Sequence, residues 1–235
     1  MTGKAGNVIS KSEQACPRWF FCRKMKIHNY PGFFVDIEGL DGSGASTQVA
    51  LVSQKMKEMG IQPFATKEPT NGPVGELIRK ILKGGHKNIS PVSLRLLFAA
   101  DGGFHLDQEI IPRLKKGRMV ITDRYAWSSV AFGSVDLSKE WLFELNKDFI
   151  LPDLTFFIEV EPDVCLERLV EEKKGVALFR KKEELMHTWD TYRWLAEKYW
   201  WAQITMVDGE KPEEEVAEAI LARLKVHPKF KKMLK

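Results

Sequence analysis

The chain has 235 residues, enough for one domain with a substantial core or at most two. A hydrophobic content of 44%, a charged content of 29% and a net charge of +4 describe a folded globular protein with local basic sites, not a surface that coats nucleic acid. Its three cysteines argue against a disulfide framework and suit a reducing cytoplasm, and no apolar run approaches the roughly 18 residues that a membrane span needs.

Residues 1–30 carry Lys4, Lys11, Arg18, Arg23, Lys24 and Lys26 with little apolar periodicity and no apolar core of the kind a signal peptide needs. They read as a flexible basic extension that packs little before about Tyr30, with Met25 an alternative start. Cys16 and Cys22 lack a second pair of metal ligands, which speaks against zinc.

From Phe33 an apolar run ends in the turn Gly39-Leu40-Asp41-Gly42-Ser43-Gly44, and a helical pattern of Val49, Leu51, Val52 and Met56 follows. Strand, glycine loop and helix in that order form the setting of a phosphate-binding loop: glycines turn backbone N–H groups inward, and the helix presents its positive end. Gly39, Asp41, Gly42, Ser43, Gly44, Ala45, Ser46 and Thr47 are therefore the candidate ATP site, with the Ser46 hydroxyl placed to ligate Mg²⁺. Against G-x-x-x-x-G-K-[ST], the lysine position is Ala45.

Gln62 to Thr66 reads as a second strand ending at Lys67-Glu68-Pro69, and Gly75 to Leu82 as a helix closed by Gly84-Gly85. Ser90-Pro91 opens another helix, with Ser as N-cap and Pro at the first helical position. That helix meets Gly102-Gly103, a pair that predicts either a break or space for something against the backbone. Arg118 to Thr122 is a third strand delivering Asp123-Arg124-Tyr125; Leu154 to Val160 is a fourth, followed by a helix from Pro162 to Val170. The charged segment Glu171 to Glu184 leads into a long helix with Trp189, Tyr192, Trp194 and Leu195; Ile204 to Val207 is the fifth strand, and Pro212 to Leu224 the last helix. The alternation predicts a three-layer α/β fold with a five-stranded parallel sheet, its first strand central. It divides as 1–30 extension, 31–228 domain with a lid at about 171–184, and 229–235 basic tail.

In open α/β sheets ligands bind beyond the carboxyl ends of the strands, where the glycine loop, Lys67-Glu68-Pro69, Asp123-Arg124-Tyr125 and Asp208 to Lys211 gather. At these residues the chain resembles the thymidylate kinase family, nucleoside-monophosphate kinases of the P-loop group. Glu38 to Gly44 is similar to its E-G-x-D-G-x-G loop, Lys67-Glu68-Pro69 to R-E-P, Phe98-Ala99-Ala100-Asp101 to F-A-A-D-R, and Asp123 to Ser129 to D-R-Y-x-x-S-S. The match runs from about Phe33 to Leu224.

The resemblance implies roles. Arg124 holds the acceptor's phosphoryl group, and Asp123 orients the substrate or the metal's water shell. Lys67 stands on the same phosphate, Phe98 stacks on the base, Ser129 and Phe132 lie near base and sugar, and Asp41 contacts the deoxyribose 3′-hydroxyl or the phosphate region. Lys173, Lys174, Arg180, Lys181 and Lys182 fall where the family has its mobile lid. Gly42 is not arginine, so the arginine acting on the transferred group is expected from that lid, as Arg180. Three departures stand out: Ala45 for the loop lysine, Lys67 for an arginine, and Gly102 for the arginine that reads the base.

The function this implies is transfer of the γ-phosphoryl of ATP to dTMP with Mg²⁺, in a cytoplasmic homodimer without nucleic-acid or membrane partners. The alternatives are a kinase of altered base preference and a nucleotide-binding regulatory protein of the same fold.

Overall fold

The computed structural model describes residues 25–85, 88–172 and 178–234. Strands β1 (Phe33–Gly39), β2 (Phe64–Lys67), β3 (Met119–Asp123), β4 (Leu154–Glu159) and β5 (Ile204–Asp208) form one parallel sheet in the order β2-β3-β1-β4-β5. β1 is central, as its sequence predicts, and all of its residues are buried. A strand paired on both edges and covered on both faces has no solvent side, which is why it reads as an almost continuous apolar run. Ile37 lies in register with Asp123 of β3 and Phe156 of β4, so the end of β3 abuts the start of the glycine loop.

The helices are α1 (Ala45–Glu58), α2 (Pro73–Lys80), α3 (Pro91–His105), α4 (Ile111–Lys115), α5 (Ala126–Gly133), α6 (Lys139–Asn146), α7 (Pro162–Glu172), α8 (Leu178–Lys198), α9 (Glu213–Val226) and α10 (Pro228–Met233). Right-handed crossovers decide the face each takes. The step from β1 to β2 crosses the sheet in the opposite direction to every later step, so α1 takes one face and the helices of the later connections the other. Packing agrees: α1 lies on α9, whereas α5 packs between α3 and α8.

Several expectations change on contact with the structure. The helix through Gly102-Gly103 does not break: α3 continues to His105, and the irregularity, one π-helical turn, comes at Leu106–Ile110. Of the two readings of this pair, space against the backbone is the one that holds: Gly102 admits an aromatic ring, since a Cβ there would lie 2.7 Å from Phe149 Cε2. Helices α5 and α6, between the third and fourth strands, are additions; Ser138 caps α6 by accepting from the Trp141 N–H.

The extension expected to pack little before Tyr30 is anchored from Met25 onward. Met25 is buried in the core, Lys26 N–H donates to Phe149 O at 2.9 Å, and Leu151 N–H donates to Lys26 O at 2.8 Å. His28 lies against Asp153, which also accepts from Phe34 N–H and from Lys229 Nζ. At the other end, part of the expected basic tail at 229–235 is helical, and α10 buries Phe230 completely against Phe33. Residues 1–24, with Cys16 and Cys22, lie outside the described residues, as do residues 173–177 of the expected lid and the side chains of Arg180 and Lys181.

Candidate active site

The loop between β1 and α1 owes its shape to Gly42 and Gly44, with φ of 85° and 89°, values open to glycine and costly for other residues. Gly42 has a second constraint, since a Cβ there would meet the Cys165 carbonyl oxygen at 2.5 Å. An arginine at that position is excluded on backbone grounds. α1 begins directly after Gly44 without a side-chain cap, and Gln48 N–H bonds back to Gly44 O at 3.0 Å. The N–H groups of Ala45, Ser46 and Thr47 thus precede the first intrahelical bond and are left for an anion. Ala45 itself is buried among core residues.

Ser46 Oγ donates to Asp123 Oδ2 at 2.5 Å, joining the first turn of α1 to the end of β3. The next residue, Arg124, has a φ of 73°, an uncommon conformation for a residue with a side chain and one that clusters at functional sites. It is held by Arg124 N–H to Ile37 O at 2.9 Å. This turn swings the guanidinium over the loop: Nη1 donates to Gly39 O at 2.7 Å and to Ser128 Oγ at 3.3 Å, and Nη2 to Asp41 Oδ1 at 2.9 Å. The Phe132 ring lies beneath it, 4.7 Å from Cζ to centroid. Burial works against its charge, but Tyr192, Asp41, Glu38 and Asp123 outweigh it and hold the guanidinium above its ordinary value.

Glu38 organises the ground under Arg124. It is buried and accepts from Tyr125 N–H at 2.9 Å, Ser128 N–H at 3.0 Å, the Ser128 hydroxyl, and Tyr192 OH at 2.8 Å. Burial pushes its carboxyl up to about 7, against the pull of Ser128, Arg124 and Tyr192. Asp36, two residues earlier, is wholly buried, with neither oxygen hydrogen-bonded among the described residues. Burial, then the nearby Glu38, Glu68 and Asp123, pushes it well above the carboxylate range.

Of the second-strand residues, Lys67 is exposed at the end of β2, in register with Asp123. Glu68 turns inward to His105 Nδ1 at 3.0 Å, and Asp101 accepts from the N–H and hydroxyl of Thr70 at 2.7 and 2.6 Å. Between α3, α5 and α8 lies a cleft of about 170 Å³, bounded by Asp41, Arg95, Phe132, Asp136, Leu185 and Thr188. Phe98 is half-buried beside Arg95, and Ser129 is buried and accepts from Asn146 Nδ2 at 3.3 Å. Lys182 pairs with Asp163 of α7 at 2.6 Å.

The structure therefore brings together Gly39, Asp41, Ser46, Asp123, Arg124 and Phe132, while Lys67 ends β2 in register with Asp123 and Phe98 lies on α3 beside Arg95. Sequence reasoning missed Arg95, Ser128 and Tyr192 as parts of this arrangement. A single arginine or tyrosine on a helix carries no local mark of it; Ser128, inside the Asp123–Ser129 motif, did. Missed too was Arg168, whose Nη1 donates to Gly42 O at 3.3 Å and steadies the outer side of the loop.

A parallel sheet with a phosphate loop after its central strand and an arginine facing that loop from the next strand defines a P-loop nucleotide kinase fold. The thymidylate kinase family model matches residues 37–220. Similar proteins include the probable thymidylate kinase of Pyrobaculum aerophilum, 35% identical over 84% of this chain and 99% of that protein. The probable enzyme of Thermococcus kodakarensis is 34% identical over 80% of this chain and 95% of its own length, and the thymidylate kinase of Leptospira interrogans 33% over 83% and 95%. The chain belongs to the thymidylate kinase family.

Proposed function

We propose that this protein transfers the γ-phosphoryl group of ATP to dTMP, giving dTDP and ADP. The observation that carries the reading is the placement of Arg124, whose left-handed backbone aims a fork-shaped cation at the phosphate loop from the adjoining strand. Two phosphate-binding devices a few ångströms apart suit a donor and an acceptor phosphate facing one another. Family membership supports the same reaction, and the relatives named above are thymidylate kinases.

In this reading the N–H groups at the start of α1 hold the β- and γ-phosphates of ATP, and Arg124 holds the acceptor phosphoryl group in line with them. Asp41 now neutralises Arg124 and gives way to the substrate's phosphoryl group or binds the sugar 3′-hydroxyl. Lys67 adds a point charge at the acceptor phosphate, Phe98 and Phe132 flank base and sugar, and Ser129 lies beside the base. The lid, with Arg180, closes to exclude water. Mg²⁺ fits the donor set: the Ser46 hydroxyl and Asp123 carboxylate converge at the loop as hard oxygen ligands, and such ions take one or two protein ligands with phosphates and water completing the shell. Bound there, the ion supplies charge neutralisation for the phosphates.

A homodimer acting in the cytoplasm belongs to the same reading. Its support is a row of exposed apolar side chains on α2 and α3, Leu77, Val92, Leu96 and Phe104. The regulatory alternative is not favoured, because the family and the relatives named above are thymidylate kinases.

The deciding experiment is ADP release from ATP and Mg²⁺ with each monophosphate in turn. Turnover with dTMP above all others is expected; ATP binding with no transfer to any monophosphate would overturn the proposal. Light scattering of the purified protein checks the dimer.

A further inference from the structure

All five parallel strands start at one end of the molecule, and the phosphate loop with Arg124 lies at the other. Around the start of β1 the chain gathers basic side chains. The turn from Lys115 to Arg118 adjoins it, since Phe33 N–H donates to Arg118 O at 3.2 Å and Gly32 N–H to Leu114 O at 2.8 Å. The end of α9 and α10 border it too, with the His227 and Phe230 rings 4.9 and 5.9 Å from the ring of Phe33. Lys115, Lys116, Arg118, Lys225, Lys231 and Lys232 are exposed on this rim, and none of them forms an ion pair among the described residues. The carboxylates beside them are taken: Asp148 pairs with Lys26, and Asp153 holds Lys229, His28 and Phe34 N–H. The net charge of the whole chain is +4, less than these six cations carry, so positive charge is concentrated at this end. A field of one sign draws a polyanionic partner.

The apolar side chains among the cations say which polyanion. Ile27, Val226 and Leu234 are 73%, 56% and 45% exposed. Val226 follows Lys225 and Leu234 follows α10, while the meeting of His28 and Lys229 at Asp153 sets Lys26 and Ile27 beside that helix. Nucleic acid would engage the cations at its phosphates and leave the aliphatic groups in water. A bilayer interface takes both, cations at anionic headgroups and apolar groups at the acyl boundary. The chain also enters the described residues at this end, through Met25 and Lys26, and the sequence before them is Arg18-Trp19-Phe20-Phe21-Cys22-Arg23-Lys24. Tryptophan and phenylalanine set among basic residues have the composition of an interfacial anchor. No helix among the described residues is long and apolar enough to cross a membrane, so the contact is with a bilayer surface.

We propose that this rim docks on an anionic lipid bilayer, its lysines and Arg118 at the headgroups, and Ile27, Val226, Leu234 and the aromatic run before Met25 at the acyl boundary. The expectation of no membrane partner then holds for a spanning segment alone. The seven residues of β1, at about 3.3 Å each, set the glycine loop roughly 20 Å from the rim, so docking leaves the catalytic end facing water.

Co-sedimentation of the full chain with vesicles tests it, comparing phosphatidylcholine alone with a mixture of phosphatidylcholine and phosphatidylglycerol. Binding is expected to the mixture and little to phosphatidylcholine, and added salt should weaken it. Each cation near such a surface is worth about fivefold, so Lys116→Glu, Arg118→Glu, Lys231→Glu and Lys232→Glu together should weaken binding by roughly a hundredfold or more. Circular dichroism checks that this variant is folded. Val226→Ser with Leu234→Ser keeps every charge and should weaken binding several-fold, which decides the matter if the charge-reversed variant does not fold. No binding to the phosphatidylglycerol vesicles, or binding that charge reversal leaves unchanged, would overturn the proposal. So would tighter binding to single-stranded RNA than to vesicles, unaffected by the serine substitutions, which would make the rim a nucleic-acid surface.

Discussion

Tyr192 donates its hydroxyl to Glu38 Oε2 at 2.8 Å and lies 2.9 Å from Ser128 Oγ, tying the helix that leaves the lid to the carboxylate beneath Arg124. Glu38 accepts best when ionised, and burial places its titration at about 7. The kcat/KM for dTMP should therefore rise with pH through roughly neutral. Tyr192→Phe removes one of the donors that stabilise the ionised form, so the midpoint should move upward while KM for ATP stays constant. An unmoved midpoint would separate Tyr192 from the acceptor arginine.

The same shift has a stability consequence of opposite slope. Folded Glu38 keeps its proton up to about 7, against 4.5 as its ordinary value, so the native state binds more protons between those limits. Its contribution to stability is fully present below the lower limit and is lost as pH rises through the upper one. Asp36, raised by the same burial, works in the same direction. Glu38→Gln should flatten the decline in urea midpoint between pH 5 and 8, and an unchanged slope would contradict the assignment.

For the acceptor phosphate, Arg124→Ala should cost far more than Lys67→Ala. Arg124 presents a pre-set fork with three partners in place, while Lys67 is exposed on an edge strand and holds no ion pair among the described residues. A loss in kcat/KM on the order of a hundredfold or more is expected for Arg124, and tenfold or less for Lys67. Equal losses would show that the charge, and not the fork, does the binding.

How much of this was readable beforehand follows from where each signal lives. The parallel strands with the first one central, the loop and the Ser46, Asp123 and Arg124 cluster rest on local patterns, apolar runs that end in glycine or in charge, and those are printed in the sequence. The anchoring of Met25 to Tyr30 was not, because it depends on Phe149, Leu151 and Asp153, more than a hundred residues away. At Gly102 the sequence left two readings open, a break or space for something against the backbone, and the ring of Phe149, distant in sequence, decides for the second. Arg95 became visible once α3, α5 and α8 had been placed around one cleft.

That ring gives a packing prediction. Gly102→Ala gains roughly 1 kcal/mol of helix propensity but drives a methyl to 2.7 Å from Phe149 Cε2, and overpacking of this kind costs typically about 1–3 kcal/mol. The variant should melt at a slightly lower temperature than wild type. In a Phe149→Ala background the clash is absent, so the same substitution should be stabilising. The change of sign is what a double-mutant cycle would read, and additive effects would mean the ring moves aside without resistance.

Ala45 sets the last test. If ATP is turned over, positive charge must reach the β- and γ-phosphates from somewhere other than the first residue of α1, and the basic lid is the richest source. Lys182 is held in a solvent-exposed pair with Asp163, worth about 0–1 kcal/mol, so substrate can draw it away at little cost. Closing a low-dielectric site then strengthens whatever cation arrives. Neutralising Arg180, Lys181 and Lys182 together should lower kcat by about two orders of magnitude or more, with dTMP affinity largely intact. Ala45→Lys should tighten ATP binding several-fold, because a lysine stem can climb from the buried Cβ along the loop and leave its ammonium at the phosphates. In the lid triple variant it should restore part of the lost rate. If the lid variant keeps full activity and Ala45→Lys changes neither ATP affinity nor rate, the missing charge is supplied by a group other than the lid.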